Sequence, residues 1–162
     1  DILTIVDGSP VKNYIFFETG SSELPAGYTL FNEKSESAAF DETSLKNAWD
    51  KYLNILNLVG QDLARHSSAR IRIVGCNSDT GIEKDNLDLS RRRAEAVSAY
   101  LNEFWGIDPS RMTIQARNLP LKATARNLVG ARAENQRVEL EYASAAMQAD
   151  APDNFIAETN GR

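Results

Sequence analysis

Apolar residues recur at three- and four-residue spacing through the middle of the chain. Ala94, Val97, Leu101 and Phe104 form one stripe, the period of a half-buried helix. Arg93 lies four residues after Leu89 and four before Val97, at the edge of that stripe. Gly106 is placed to end the helix. A second helical face runs over 41–66 through Leu45, Trp49, Tyr52, Ile55/Leu56, Val59 and Leu63, with Asp41 or Thr43 as cap and His66-Ser67-Ser68 as its end. Period-two and short apolar segments read as strands. Ile71 and Ile73 alternate with Arg70 and Arg72 over 69–75, and further strands are expected at 11–17, 112–116 and 137–142. Residues 1–6 also have strand-like content and end at the turn Asp7-Gly8-Ser9-Pro10. Residues 18–40 are irregular, with Tyr28, Leu30 and Phe31 available to pin them to the body. Residues 117–134 read as a polar connection with a helical turn, and the tail from Ala143 reads as a linker. Without these additions the order is β-α-β-α-β-β. Strand–helix–strand alternation implies right-handed crossovers. The expected fold is α+β: two layers, a mixed sheet with both main helices on one face, an extra N-terminal strand and a long loop insertion.

Composition narrows the classes. The 162 residues suit one domain, and 42% apolar residues can build an ordinary core. A net charge of −5 argues against a nucleic-acid binder. The Arg91-Arg92-Arg93 triplet does not reverse this, because its side chains point different ways around a helix. No apolar run approaches a membrane span. The chain starts abruptly at Asp1 without a signal peptide, and it reads as a mature or trimmed part of something longer. One cysteine, Cys76, excludes an internal disulfide. Catalysis has little support: His66 and Cys76 could approach one another, but such a pair also needs thiolate activation and a third orienting group. No His/Cys cluster has metal spacing, no glycine-rich loop matches a phosphate cradle, and no cofactor is implied.

The run Asn86-Leu87-Asp88-Leu89-Ser90-Arg91-Arg92-Arg93-Ala94-Glu95-Ala96-Val97-Ser98-Ala99-Tyr100-Leu101 carries a more specific signal. It resembles, position for position, the N-x-x-L-S-x-x-R-A-x-x-V-x-x-x-L signature of the OmpA-like C-terminal domain family. Other parts agree in order. Tyr14-Ile15-Phe16-Phe17 is similar to the family's first strand, Ser22-Glu23-Leu24 to the S-x-L after it, and Ile71-Arg72-Ile73-Val74-Gly75 to the second strand. Gly106-Ile107-Asp108-Pro109-Ser110-Arg111-Met112 resembles the link into the third strand, and Asn135-Gln136-Arg137-Val138-Glu139 the closing N-R-R-V-E. The resemblance covers roughly 13–142. It implies a domain over 1–142 with an insertion at about 18–40, and an extension over 143–162. It also implies a non-catalytic periplasmic module, associated with the outer membrane of Gram-negative bacteria, that binds peptidoglycan and anchors a longer envelope protein to the cell wall.

The resemblance implies a site as well. The helix arginine of the family grips the carboxylate of diaminopimelate in the peptidoglycan stem peptide, and Arg93 holds that position. A planar guanidinium suits a carboxylate through two parallel bonds. Asn86 and Ser90 lie on the same helical side. A guanidinium keeps its charge, so burying it unpaired is costly. Arg93 therefore needs an anion, either from a ligand or from an internal salt bridge, for example to an Asp of the preceding loop. The family's second anchor is an aspartate that takes the ligand's ammonium. Here its place, fifteen residues before Arg93, holds Ser78, with Asp79 one residue later in Gly75-Cys76-Asn77-Ser78-Asp79-Thr80-Gly81. Asp79 could reach the ammonium, or Ser78 could face it without charge. Asp79 could equally be a turn residue. Asn77 and Asn86 would support the loop. A second departure is Gln136, where the family has arginine. The alternative function is the same fold with an altered or lost site, serving as a protein-interaction or spacer domain. The 18–40 segment could cover the pocket in that case.

Overall fold

The computed structural model describes residues 5–6, 9–10, 13–125 and 127–143. The tail expected as a linker lies outside these from 144 onward, as do residues 1–4 and the Asp7-Gly8 part of the first turn. Among the described residues six strands are β1 (Ile5–Val6), β2 (Ser9–Pro10), β3 (Asn13–Phe16), β4 (Arg70–Gly75), β5 (Met112–Ala116) and β6 (Arg137–Ala143). The helices are α1 (Ser35–Ala39), α2 (Ala48–Leu53), α3 (Ile55–Arg65), α4 (Leu87–Trp105) and α5 (Ala131–Asn135). β1 and β2 pair as a small hairpin. The main sheet has the order β3-β6-β4-β5, with β4 and β5 parallel and the other pairs antiparallel, so it is mixed. The α+β expectation holds.

Strand alternation sorts the two faces of this sheet. Ile15, Ile71, Ile73, Val138 and Leu140 point to one face and join Leu56, Val59 and Leu63 of α3 and Ala94, Val97 and Leu101 of α4 in a single core. Both main helices therefore lie on the same side. The α4 stripe ends at Gly106, whose φ of 65° is the left-handed conformation that glycine adopts without strain.

The helix expected over 41–66 is broken. Asp41 caps only a single 3-10 turn, accepting the Thr43 N–H. The first regular turn starts at Ala48, where Asn47 accepts the Asp50 N–H. Asn54 then separates α2 from α3, its amide donating to the Asp50 carbonyl. Local side-chain bonds to backbone thus compete with helix continuation. The expected continuous face fails as well: Trp49 is 65% exposed, whereas Val59 and Leu63 are fully buried.

The 18–40 segment is pinned by hydroxyl groups. The Phe16 N–H donates to the Tyr28 hydroxyl at 2.9 Å, and the Phe31 N–H to the Tyr100 hydroxyl at 2.9 Å. Asn57 in α3 is wholly buried beneath it. Its Oδ1 accepts the Tyr100 hydroxyl at 2.6 Å and the Trp105 indole N–H at 3.2 Å, while its amide donates to the Thr29 carbonyl at 3.0 Å. The buried Asn57 amide thereby has partners for both its oxygen and its nitrogen.

Candidate functional site

The parallel β4–β5 pair and the antiparallel β6 bring several connections to one end of the sheet: the loop after β3, the 76–86 loop, the loop after β5 and the start of β6. The N-terminus of α4 closes this end. It can approach because position 75 is glycine, where a Cβ would overlap the Ser90 carbonyl oxygen. Asn86 caps α4, its side-chain oxygen accepting the Leu89 N–H at 3.1 Å.

The arginine triplet divides as helix geometry requires. Arg91 and Arg92 are exposed and share Asp88 at 3.0 and 2.9 Å. Arg93 is fully buried. Its guanidinium meets Glu83 in a two-pronged pair, Nη2 to Oε2 at 2.6 Å and Nη1 to Oε1 at 3.3 Å. Nη1 also donates to the Cys76 carbonyl at 2.9 Å, Nη2 to the Glu18 carbonyl at 3.0 Å and Nε to the Ser21 carbonyl at 2.8 Å. All five donors of the group are engaged. The Phe17 ring lies 5.5 Å from the guanidinium carbon, close enough for a cation–π contribution.

Glu83 is equally enclosed, in a 3-10 turn at Gly81–Glu83. Its Oε2 accepts the Gly20 N–H at 2.8 Å and its Oε1 the Ser78 N–H at 2.9 Å. Burial alone would push its pKa up. The hydrogen bonds from Arg93, Gly20 and Ser78 outweigh that push and hold the carboxyl below the usual glutamate value.

The other expected residues surround this pair. Ser78 is 2% exposed, and its hydroxyl lies 3.1 Å from that of Thr80. Asn77 is fully buried. Its amide nitrogen lies within 3.0 Å of the Asn86 carbonyl, the Ser90 hydroxyl and the Asn118 side-chain oxygen. Asp79 has φ 52°, the left-handed region that aspartate tolerates, and its Oδ1 accepts the Asp85 N–H at 2.9 Å. It closes its own turn, and the acid that reaches Arg93 is Glu83. The departure at position 136 is also used. Gln136 is 2% exposed and exchanges bonds with the Thr19 hydroxyl at 3.0 and 3.3 Å. Residues 18–21 thus lie over Arg93, fastened at Glu18, Thr19, Gly20 and Ser21.

Sequence reasoning missed Glu83, while the cover comes from the 18–40 segment that it had allowed for. The buried-arginine argument requires an anion and points to an Asp of the preceding loop, whereas the acid in place is Glu83. The choice depends on the left-handed conformations at Asp79 and Asp85, which set the path of the loop.

Cys76 and His66 are not brought together. Burial pushes the Cys76 thiol up to about 12, so it stays protonated and inert. His66 pairs with Asp62 at 3.2 Å, beyond the start of β4. A groove of about 500 Å³ lined by Leu45, Leu58, Asp62, Arg65 and His66 lies there, at the opposite end of β4 from Arg93. Among the described residues, no group of His, Cys, Asp and Glu could hold a metal ion, and no helix is long and apolar enough to cross a membrane.

Comparison with known proteins agrees with this architecture. The sequence profile described as the OmpA family matches residues 16–137. Outer membrane protein A of Bordetella avium is 33% identical over 102 residues, covering 63% of this chain and 50% of that protein. Outer membrane protein Omp38 of Acinetobacter baumannii is 32% identical over 80 residues, 49% of this chain and 22% of its own length. The chain therefore spans half or less of these curated relatives. Two solved structures share the fold. The peptidoglycan-associated lipoprotein of Burkholderia pseudomallei has a TM-score of 0.54 at 21% identity, covering 81% of this chain and 90% of that one. The C-terminal domain of Helicobacter pylori MotB has a TM-score of 0.55 at 15% identity, covering 91% and 97%. With most of its length matched by the profile, and with the four-stranded mixed sheet and α4 signature in place, the chain belongs to the OmpA family.

Proposed function

We propose that this chain is a non-catalytic cell-envelope module that binds peptidoglycan and tethers a longer outer-membrane or periplasmic protein to the cell wall. Family membership supports the broad reading, together with the fold shared with a lipoprotein named for its association with peptidoglycan. The observation that carries the finer reading is the Arg93 guanidinium, held rigidly at the helix position that the family signature specifies and already gripping a carboxylate in two-pronged fashion. The carboxylate of a diaminopimelate head group would take that seat, with its ammonium facing the Ser78–Asp79 loop, and Asn77 and Asn86 would hold the loop in shape. Tethering offsets the modest affinity of one small head group by raising its effective concentration.

A second reading has its own support: residues 18–21 cover Arg93, and Glu83 fills its seat. In that reading the fold acts as a protein-interaction or spacer domain with an altered site.

The test is cosedimentation with purified diaminopimelate-containing sacculi, paired with calorimetric titration of diaminopimelate and a stem peptide that contains it. Saturable binding by the wild type, competed by free diaminopimelate, is the expected result. Failure to sediment, from a chain shown to be folded, would overturn the anchor reading in favour of the second.

A further inference from the structure

We infer that Glu83 is the residue that sets the specificity of the Arg93 seat: it excludes simple carboxylates and admits only head groups that bring a cation beside their carboxylate. This inference deepens the peptidoglycan reading and rests on it for the identity of the natural ligand.

The argument starts from charge. Arg93 and Glu83 are both fully buried and satisfy one another at 2.6 Å. An incoming carboxylate that took the guanidinium would strand Glu83 as an unpaired buried anion, and breaking one half of a buried pair is strongly unfavourable. A ligand with an amino group next to its carboxylate avoids this, because its ammonium meets Glu83 while its carboxylate meets Arg93. The pair is thus a stored copy of the zwitterion it would recognise. This also accounts for the missing acid at position 78. The Ser78 N–H donates to Glu83 at 2.9 Å, so the loop with serine at position 78 is built around the carboxylate of Glu83. Asp79 is engaged with the Asp85 N–H. Gly20 donates to the same Glu83 carboxylate at 2.8 Å, which couples displacement of Glu83 to lifting of the 18–21 cover.

The experiment compares two ligands of one carbon skeleton, diaminopimelate and pimelate, which keeps both carboxylates and lacks the amines. Each is titrated calorimetrically into the full chain as wild type, Glu83→Gln and Glu83→Asp. The wild type is expected to prefer diaminopimelate by at least about tenfold, or about 1.4 kcal/mol. Glu83→Gln should bring the ratio close to one by admitting pimelate, and Glu83→Asp should restore much of the preference. A ratio unchanged in Glu83→Gln overturns the inference. If the wild type binds neither ligand, the diaminopimelate reading fails, and the role of Glu83 is read from thermal unfolding in acetate against matched chloride. Stabilisation of Glu83→Gln by acetate, with none for the wild type, supports Glu83 as the excluding residue. Equal responses overturn it.

Discussion

Two buried arginine–glutamate pairs flank the same end of the sheet and do different work. Arg137 and Glu139 are neighbours on one strand, 2.7 Å apart, on the sheet face away from α3 and α4. Arg137 also donates to the Glu134 carbonyl at 3.1 Å and the Lys122 carbonyl at 3.2 Å, and stacks 4.2 Å from the Tyr14 ring. Its partner lies two residues along the same strand and therefore on the same face. Arg93 and Glu83 come from a helix and a loop, and their bonds draw in the carbonyls of Glu18, Ser21 and Cys76 and the N–H groups of Gly20 and Ser78. The first pair joins two residues of one strand, and the second joins a helix to a loop and the 18–21 cover. The difference shows that burial of a charge pair does not by itself indicate function. What matters is how many separate segments depend on it, and whether a ligand could replace one partner.

The sharpest way to break the comparison is to remove one arginine at a time. Arg93→Ala should cost about 3–5 kcal/mol, since it strands Glu83 and releases the 18–21 cover together. Arg137→Ala should cost about 2 kcal/mol, because the Arg137 and Glu139 side chains keep 5% and 8% exposure and water can reach Glu139 once its partner is gone. Urea unfolding of both variants gives the ordering, and an Arg137 variant as damaged as Arg93→Ala would remove the distinction. The double variant Arg93→Met with Glu83→Leu refines the point. Stability should return to within about 2 kcal/mol of wild type, as apolar replacements of a buried pair commonly do, while saculus binding should stay lost.

Acid titration of the unfolding transition is the next smaller effect. The Glu83 carboxyl is held below its ordinary value of 4.5 in the folded chain. A depressed acid contributes stability that is fully present above its unfolded value and drains away as pH falls through the folded one. Wild type should therefore lose stability more steeply than Glu83→Gln as pH falls below 4.5. Parallel acid limbs, measured by denaturant midpoints from neutral pH downward, would show that Glu83 is not the carboxylate the fold depends on.

Much of this architecture is legible from periodicity. The α4 stripe, the Ile71/Ile73 alternation and the terminal Gly106 each encode their own geometry in adjacent residues. The break at Asn54 is not legible in the same way, because the apolar positions on both sides still fit a helix and only the Asn47 and Asn54 side-chain bonds divide it. The site is half legible for a related reason. Arg93 declares its need for an anion through its place on an apolar stripe, which is a local property. Which acid answers depends on a loop path set by two aspartates in left-handed conformation and on a cover supplied from more than 70 residues away, as the Arg93–Ser21 separation of 72 shows. Neither has a periodic signature.

The smallest effect is expected at Asp79, and it separates Asp79 from Glu83 in the 76–86 loop. Asparagine tolerates a left-handed backbone as aspartate does, and its amide oxygen can still accept the Asp85 N–H. Asp79→Asn should therefore shift stability by less than about 0.5 kcal/mol, the usual range for a change away from buried networks. It should also leave the preference for diaminopimelate over pimelate intact, because Glu83 supplies the buried negative charge beside Arg93. A tenfold fall in that preference, in a variant whose unfolding midpoint has not moved, would transfer the ammonium to Asp79. The Arg93–Glu83 pair would then be a scaffold of the same kind as Arg137–Glu139, differing only in how many segments it holds.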